Sequence, residues 1–156
     1  MKRYVYFLLV AVVLAVGALI FAYKTEAPLA TAEPVAEFGG VSLRLDLATT
    51  TEARERGLGG RVSIPEGYGM LFAFPKDDRY GFWMKDMLVP IDMFWLDDKG
   101  QVVSFDQDVA TSTYPHVLYP SALARYVLET AAGFAARHSV ATGTALLLKS
   151  PLPVLQ

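Results

Sequence analysis

Charged residues with aromatic, apolar or glycine-rich neighbours are the part of this sequence best suited to chemistry. Asp92 interrupts an apolar stretch, and a carboxylate buried there needs a cation or several N–H donors to replace its lost hydration. Lys85 follows Trp83 by two positions, and Arg61 adjoins a glycine-rich segment. The functional interpretation is a site for an anionic or carboxylate ligand formed by Arg61, Trp83, Lys85, Asp92 and Glu129.

The same residues have other interpretations. Asp92 can instead belong to a structural ion pair, or hold the turn after Pro90 through backbone amides. Asp92 and Glu129 also have the residue type of an acid/base pair, as in a hydrolase, although their spacing does not fix their separation. The aromatic residues suit a hydrophobic core better than a ligand groove, because large rings dominate small cores.

Common catalytic and metal-binding motifs are absent from the sequence. The chain has no cysteine, and its two histidines, His116 and His138, lack the spacing of metal ligands. It contains no phosphate-binding glycine loop, no nucleophile elbow and no HExxH motif. The sequence therefore predicts no metal and no cofactor. It favours a non-catalytic role without deciding whether the chain is an enzyme.

The charge distribution bears on the choice of partners. From residue 27 onward there are 11 Lys/Arg and 15 Asp/Glu, a net charge of −4, with the two signs interspersed. Nucleic-acid binding needs a basic surface, so no nucleic-acid partner is expected. Docking on anionic lipid through a polybasic patch is disfavoured for the same reason.

The beginning of the chain has the pattern of a membrane anchor. Residues 4–23 are 20 uncharged, mostly apolar residues that follow Lys2 and Arg3. As a helix they would cover about 30 Å, the hydrocarbon thickness of a bilayer. The two cations keep the N-terminus in the cytoplasm. We expect a single pass through the inner (cytoplasmic) membrane, with the domain on the periplasmic or extracellular side. The alternative is secretion after cleavage near Ala32.

Composition divides the chain into four parts. Residues 1–24 are predicted as a membrane anchor or signal segment and 25–36 as a Pro/Ala-rich linker. Residues 37–150 are predicted as the folded, exported domain, and 151–156 as a tail.

Hydrophobic periodicity predicts a strand-rich domain. The residues from Val41 to Asp46 alternate apolar and polar, which indicates a strand with one wet face. Thr49 and Glu52 predict a capping box that starts a helix. Residues 107–121 are expected to form a long loop, 124–130 suit a strand slightly better than a helix, and 131–138 suit a helix. Further strands are predicted at 70–74, 80–84, 91–96 and 101–105, with a turn at 75–79 and a last buried strand at 144–148.

Three segments carry a resemblance to a known family. GYGMLFAF, GFWMKDMLVPIDMFWLDDKGQVVSF and ARYVLETAAG together resemble the domain-of-unknown-function family 192, over roughly residues 41–148. The resemblance implies a compact, mainly β fold with short helices, often behind an export signal, and no established activity. The chain differs from the family pattern at Asp86-Met87, where Asn-Thr is usual, and at Gly59-Gly60, where a Met and a bulkier residue are common.

These observations predict an α+β, predominantly β domain. The expected architecture is a compact, antiparallel-rich, barrel-like sheet with two short helices, preceded by one transmembrane helix. We expect a binding or interaction module of the cell envelope, for a small anionic ligand or a partner protein. The alternatives are an envelope hydrolase that uses Asp92 or Glu129, and a purely structural or assembly role.

Overall fold

A computed structural model describes residues 35–149. The expected membrane anchor and tail lie outside the described residues, as does most of the linker. Within residues 35–149 there is no helix long and apolar enough to cross a bilayer.

Residues 35–149 contain nine strands, seven of which form one curled, half-barrel sheet. In chain order the strands are β1 (Val35–Phe38), β2 (Val41–Ala48), β3 (Tyr68–Asp78), β4 (Phe82–Trp83), β5 (Ile91–Leu96), β6 (Val102–Val109), β7 (Val117–Leu118), β8 (Ala124–Ala131) and β9 (Leu147–Leu148). The order across the sheet is β6-β5-β8-β3-β2-β1-β9, and β4 pairs with β7 in a separate ribbon. The predicted β-rich, antiparallel-rich fold is confirmed, with one parallel pair between β2 and β3.

The described residues also form two short helices, as predicted. Helix α1 (Thr51–Arg56) lies between β2 and β3. Its cap is Thr50, whose hydroxyl accepts from the Ala53 N–H at 3.2 Å, so the expected capping box at Thr49 is wrong by one residue. Helix α2 (Phe134–Arg137) follows β8. Residues 124–130, for which the sequence favoured a strand slightly over a helix, form most of the strand β8.

The central strands are buried on both faces. All six residues of β5 are buried, as its apolar sequence predicts. One core lies on the face that α2 covers and includes Phe38, Phe94 and Phe134. The other lies on the opposite face, near α1 and the β4-β7 ribbon, and includes Phe72 and Trp95. Because strand side chains alternate, neighbouring residues of one strand belong to different cores.

Three elements differ from the prediction. Strand β3 continues through Pro75 to Asp78, where a turn was expected, and its pairing with β8 is irregular between Ala73 and Asp78. Strand β6 extends to Val109, and the loop after it contains a 3₁₀ turn and β7. The last strand is exposed rather than buried, since Leu147 is 53% accessible. The buried leucine of that segment is Leu146, at 6%.

The curled sheet closes at one end through backbone hydrogen bonds. The segment just before β9 bonds to the start of β6. The Gly143 N–H donates to the Val102 carbonyl at 2.8 Å, and the Val102 N–H donates to the Thr144 carbonyl at 2.9 Å. The Leu146 N–H donates to the Gly100 carbonyl at 2.9 Å. These bonds join the start of β6 to the segment before β9, although β6 and β9 do not pair with each other.

Candidate ligand pocket

A buried carboxyl group lies at the centre of the sheet. Glu129 on β8 faces Met70 of β3 on one side and Met93 of β5 on the other. The residue is 4% exposed, and its Oε2 receives no hydrogen bond from residues 35–149. Burial disfavours the charged form and raises the pKa of Glu129 to about 8, so the carboxyl is mostly protonated at neutral pH.

Glu129 lines a cavity of about 470 Å³ that opens to the surface. Five rings in its wall define what we term the aromatic pocket: Phe72, Phe74, Tyr80, Phe82 and Trp83. The volume lies in the range of about 300–1,000 Å³ that is usual for small-molecule sites. The pocket therefore combines apolar walls with a polar group that has no protein partner.

Strand pairing and ring contacts fix the walls. Phe72 and Phe74 alternate with core residues of the other face along β3. Phe82 meets Phe72 edge-on, with ring centroids 4.9 Å apart, and Tyr80 stacks on Phe74 at 3.6 Å. The indole Nε1–H of buried Trp95 donates to the Tyr80 carbonyl at 2.9 Å, which holds that segment against the sheet. These contacts preorganise the rings before any ligand arrives.

Cations outnumber anions in the lining. Three cationic residues line the pocket: Arg54 and Arg56 of α1, and Lys85 of the turn after β4. Besides Glu129, the lining contains one acidic residue, Glu55. Arg54 donates to the Thr49 and Ala73 carbonyls at 2.7 and 3.0 Å, and lies over the Phe74 ring. Lys85 Nζ lies 5.9 Å from the Trp83 ring centroid. In the described part of the chain, none of these three cations forms an ion pair with a carboxylate.

Asp92 lies on the other face of the sheet from Glu129. It faces Thr130, the residue after Glu129, so the two carboxyl groups point to opposite sides of the sheet. Its Oδ1 accepts from the Asp108 and Gly133 N–H groups at 2.8 and 3.0 Å, and its Oδ2 accepts from the Ala135 N–H at 2.7 Å. Three backbone donors thus satisfy Asp92, which lies outside the aromatic pocket.

Arg61 also has a partner away from the pocket. Its guanidinium donates to Asp46 Oδ2 at 2.6 Å, and the Tyr68 hydroxyl donates to the same oxygen at 2.5 Å. Arg61 also lies over the Tyr68 ring, 4.8 Å from its centroid. Of the five residues singled out by sequence, the structure brings Trp83, Lys85 and Glu129 to one pocket and leaves Arg61 and Asp92 elsewhere.

The comparison with protein families decides the affiliation of the chain. The model of domain-of-unknown-function family 192, described as an uncharacterised conserved family, matches residues 35–148. The chain belongs to this family. The resemblance noted from the sequence motifs is thereby confirmed. No curated protein matches the chain.

Solved structures of two bacterial proteins share this family 192 fold. One, from Sinorhizobium meliloti, is described as a proposed transcription regulator; its TM-score is 0.69 at 24% identity, covering 74% of this chain and 92% of that one. The other, from Novosphingobium aromaticivorans, is of unknown function; its TM-score is 0.66 at 24% identity, covering 76% and 88%. At this identity the likeness shows the fold alone.

The departure from the family 192 pattern at Asp86-Met87 has a structural explanation. Asp86 has φ +58°, a left-handed conformation in which Asn and Asp are the commonest residues after Gly, and its carbonyl accepts from the Gly60 N–H at 2.8 Å. Asp therefore suits this left-handed position, as Asn would. Met87 lines the pocket, so the usual Thr is replaced by a side chain that makes the wall more apolar.

Several pocket residues were missed by the sequence analysis. Arg54 was assigned only to a helix, and Phe72 and Phe74 only to a strand. The alternation along β3 was a usable signal, since it places these two rings on one face. Their meeting with Glu129 depends on the pairing of β3 with β8, which the local sequence does not specify.

In residues 35–149, no group of three His, Cys, Asp or Glu residues is arranged to hold a metal ion.

Proposed function

We propose that this family 192 domain binds a small molecule with an apolar body in the aromatic pocket. The observation that carries the proposal is Glu129, a buried carboxyl group in the wall of a cavity of ligand size whose Oε2 has no hydrogen-bond partner among residues 35–149. An unpaired buried polar group lowers stability, and a ligand that bonds to it removes that penalty. Aromatic walls supply most of the contact area in such sites.

The alternatives receive less support from the geometry. A hydrolase using Asp92 with Glu129 needs both carboxyl groups in one cleft, and they project from opposite faces of the sheet. A purely structural role predicts a closed charged network with no pocket beside it. That description suits Asp92, with its three N–H donors, but not Glu129 or Lys85, which line an open cavity.

The test is calorimetric titration of the full-length chain with three phenylpropyl probes: phenylpropanoate, phenylpropanol and phenylpropylamine. Phospholipid nanodiscs replace detergent, which would compete for an apolar pocket. Met87→Trp places a large ring in the pocket wall, whereas Leu88→Trp adds the same ring at a neighbouring site that is 59% exposed and outside the lining. We expect M87W to weaken binding at least about tenfold and L88W to leave it unchanged. Failure of every probe to bind, or equal binding by both variants, would refute the proposal.

We also propose that residues 1–24 tether the domain to the inner membrane, on the side away from the cytoplasm. The support is the apolar run after Lys2 and Arg3. The chain has no cysteine, so Val62→Cys, at a position 79% exposed, gives a single reactive thiol. A membrane-impermeant maleimide should label this variant in intact cells, and alkaline extraction should leave it in the membrane. Labelling only after lysis contradicts the proposal, and a labelled soluble product supports secretion after cleavage near Ala32.

A further inference from the structure

The chemistry around Glu129 restricts the ligand further. Its Oε2 is buried, and no basic side chain of the described residues hydrogen-bonds to it. A carboxyl group in that setting is stable when it keeps its proton, and it then has one O–H donor to offer. Met70 and Met93, its neighbours across the sheet, offer only thioether sulfurs, which are weak acceptors. The group that best satisfies Glu129 is therefore an oxygen acceptor from outside the protein.

The charge of the lining favours an anion. With Glu129 protonated, the lining has three cations, Arg54, Arg56 and Lys85, against one anion, Glu55, a net charge of +2. A cationic ligand would be repelled by these groups, and a protonated carboxyl offers it no negative charge. An anionic ligand gains from the cations, and a hydrogen bond from a carboxyl to a carboxylate is short and strong. Lys85 can attract an anionic ligand from solvent because it is exposed beside Trp83.

Resting on the proposed function, we propose that the aromatic pocket selects apolar monoanions, with the Glu129 O–H donating a hydrogen bond to the anionic oxygen of the ligand. The ligand class is an aryl or short-chain acyl carboxylate, or another small apolar acid of similar shape. Its body packs against the rings of the pocket, and one oxygen accepts the Glu129 O–H. Lys85 and the two arginines contribute the attraction that brings the anion in.

Other titratable groups on this face need to be separated from Glu129 in any pH experiment. They include Arg54, Glu55 and Arg56 of α1, Lys85 after β4, Tyr80 after β3, Tyr68 of β3, Arg44 and Asp46 of β2, Arg61 before β3, Arg125 of β8 and Asp106 of β6. Asp46 is engaged by Arg61 and Tyr68. Asp106 faces Met93, which in turn faces Glu129, so two strand spacings, about 10 Å, separate Asp106 from Glu129. Burial raises the pKa of Asp106. The variant Glu129→Gln leaves all of them in place.

The test measures binding of the three phenylpropyl probes to the full-length chain as a function of pH. At about pH 7, phenylpropanoate should bind at least about tenfold more tightly than phenylpropylamine. Because the pKa of Glu129 is about 8, phenylpropanoate affinity should be level below that pH and fall about tenfold for each unit above it. Above the pKa the donor is lost and two carboxylates repel.

Two variants and one control variant test the residues separately. Glu129→Gln keeps an N–H donor of the same shape but cannot ionise, so phenylpropanoate affinity in this variant should lose its pH dependence near 8. Lys85→Gln should weaken phenylpropanoate a few-fold, while Lys76→Gln, at a cation that pairs with Asp78 outside the pocket, should not. Tighter binding of the amine, or affinity that rises with pH, overturns this inference and leaves the proposed function standing. No binding by any probe refutes both.

Discussion

Asp92 and Glu129 are buried carboxyl residues on paired central strands, and they differ in the donors that reach them. Three backbone N–H groups converge on Asp92, whereas Oε2 of Glu129 has no partner in the described residues. Two of the Asp92 donors belong to residues with positive φ, Asp108 at +52° and Gly133 at +76°. Asp92 therefore stabilises the irregularity at Asp108 in β6 and the turn at Gly133 that leads into α2. Glu129 serves no comparable structural purpose.

Substitution of Asp92 by Asn should lower the thermal stability of the chain. The Asn amide carries two N–H donors in place of one acceptor oxygen, so at least one of the three backbone donors faces another donor. Hydrogen bonds to charged groups contribute about 1.5–3 kcal/mol each, and we expect a loss of roughly 2–4 kcal/mol. Thermal unfolding should show the midpoint falling by roughly 10 °C. A midpoint at or above that of wild type would show that Asp92 is not a structural residue.

Glu129→Gln should raise stability at neutral pH by an amount that grows with pH. The pKa of Glu129 is about 8 in the folded chain against its ordinary value of 4.5 when unfolded, so between these values only the folded state holds the proton. The stability that this proton contributes is fully present below about pH 4.5. It declines by about 1.4 kcal/mol per pH unit as the pH rises towards 8. The Gln variant has no ionisable group at position 129, so its stability does not decline with pH for this reason.

Urea unfolding of both chains between about pH 5 and 9 measures that difference. The stability of the variant relative to wild type should increase up to about pH 8 and then become constant. A difference that does not change with pH would show that the folded and unfolded states have similar pKa values for Glu129, and that the carboxyl is solvated.

At the scale of elements, β3 shows how one strand serves a core and a site together. Its rings at 72 and 74 line the pocket, while Leu71 packs in the opposite core. Gly69 lies in the same strand, between Leu45 of β2 and Thr130 of β8. A Cβ at Gly69 would be 2.9 Å from Leu128 Cδ1 and 3.2 Å from Leu45 Cδ2. A methyl group at this position would therefore have to displace two buried leucine side chains.

Gly69→Ala should destabilise the domain by about 1–3 kcal/mol, the usual cost of overpacking a core. Gly67→Ala is the matched control, because a Cβ there meets only the Ser42 carbonyl, at an ordinary 3.6 Å. The control should change stability by less than about 0.5 kcal/mol, as measured by urea unfolding. Equal effects of the two substitutions would mean that the strands can separate enough to accept a methyl group.

The sequence predicted elements wherever local pattern and burial agree. The alternation in β2 and the continuous apolar run of β5 gave the correct strands, and the family motifs gave the correct fold. The site was harder, because adjacent residues of a strand project to opposite faces and only the pairing register says what each face meets. Asp92 and Glu129 look equivalent in sequence, and the pairing of β5 with β8 separates them.

At the scale of the whole molecule, the hydrogen bonds between the start of β6 and the segment before β9 complete the curled sheet. Leu146 occupies this junction, where its N–H bonds to Gly100 and its side chain joins the core that includes Phe38 and Phe94. Leu147 is next in sequence and projects outward. The two leucines therefore differ in burial while sharing the same backbone path.

Leu146→Ala should destabilise the domain far more than Leu147→Ala, although the two substitutions remove the same atoms from adjacent positions. Replacing a buried leucine by alanine costs about 2–5 kcal/mol, because the lost burial and the cavity left behind both lower stability. We expect a cost for Leu146 near the lower end of this range, because the junction can relax partly into the cavity. An exposed leucine costs less than about 0.5 kcal/mol. Amide exchange measures the closure itself: Val102 and Gly143 should lose protection in L146A and keep it in L147A, because their N–H groups bond across the junction. If both amides exchange equally in the two variants, the junction opens independently of the core and the sheet does not depend on closure for its stability.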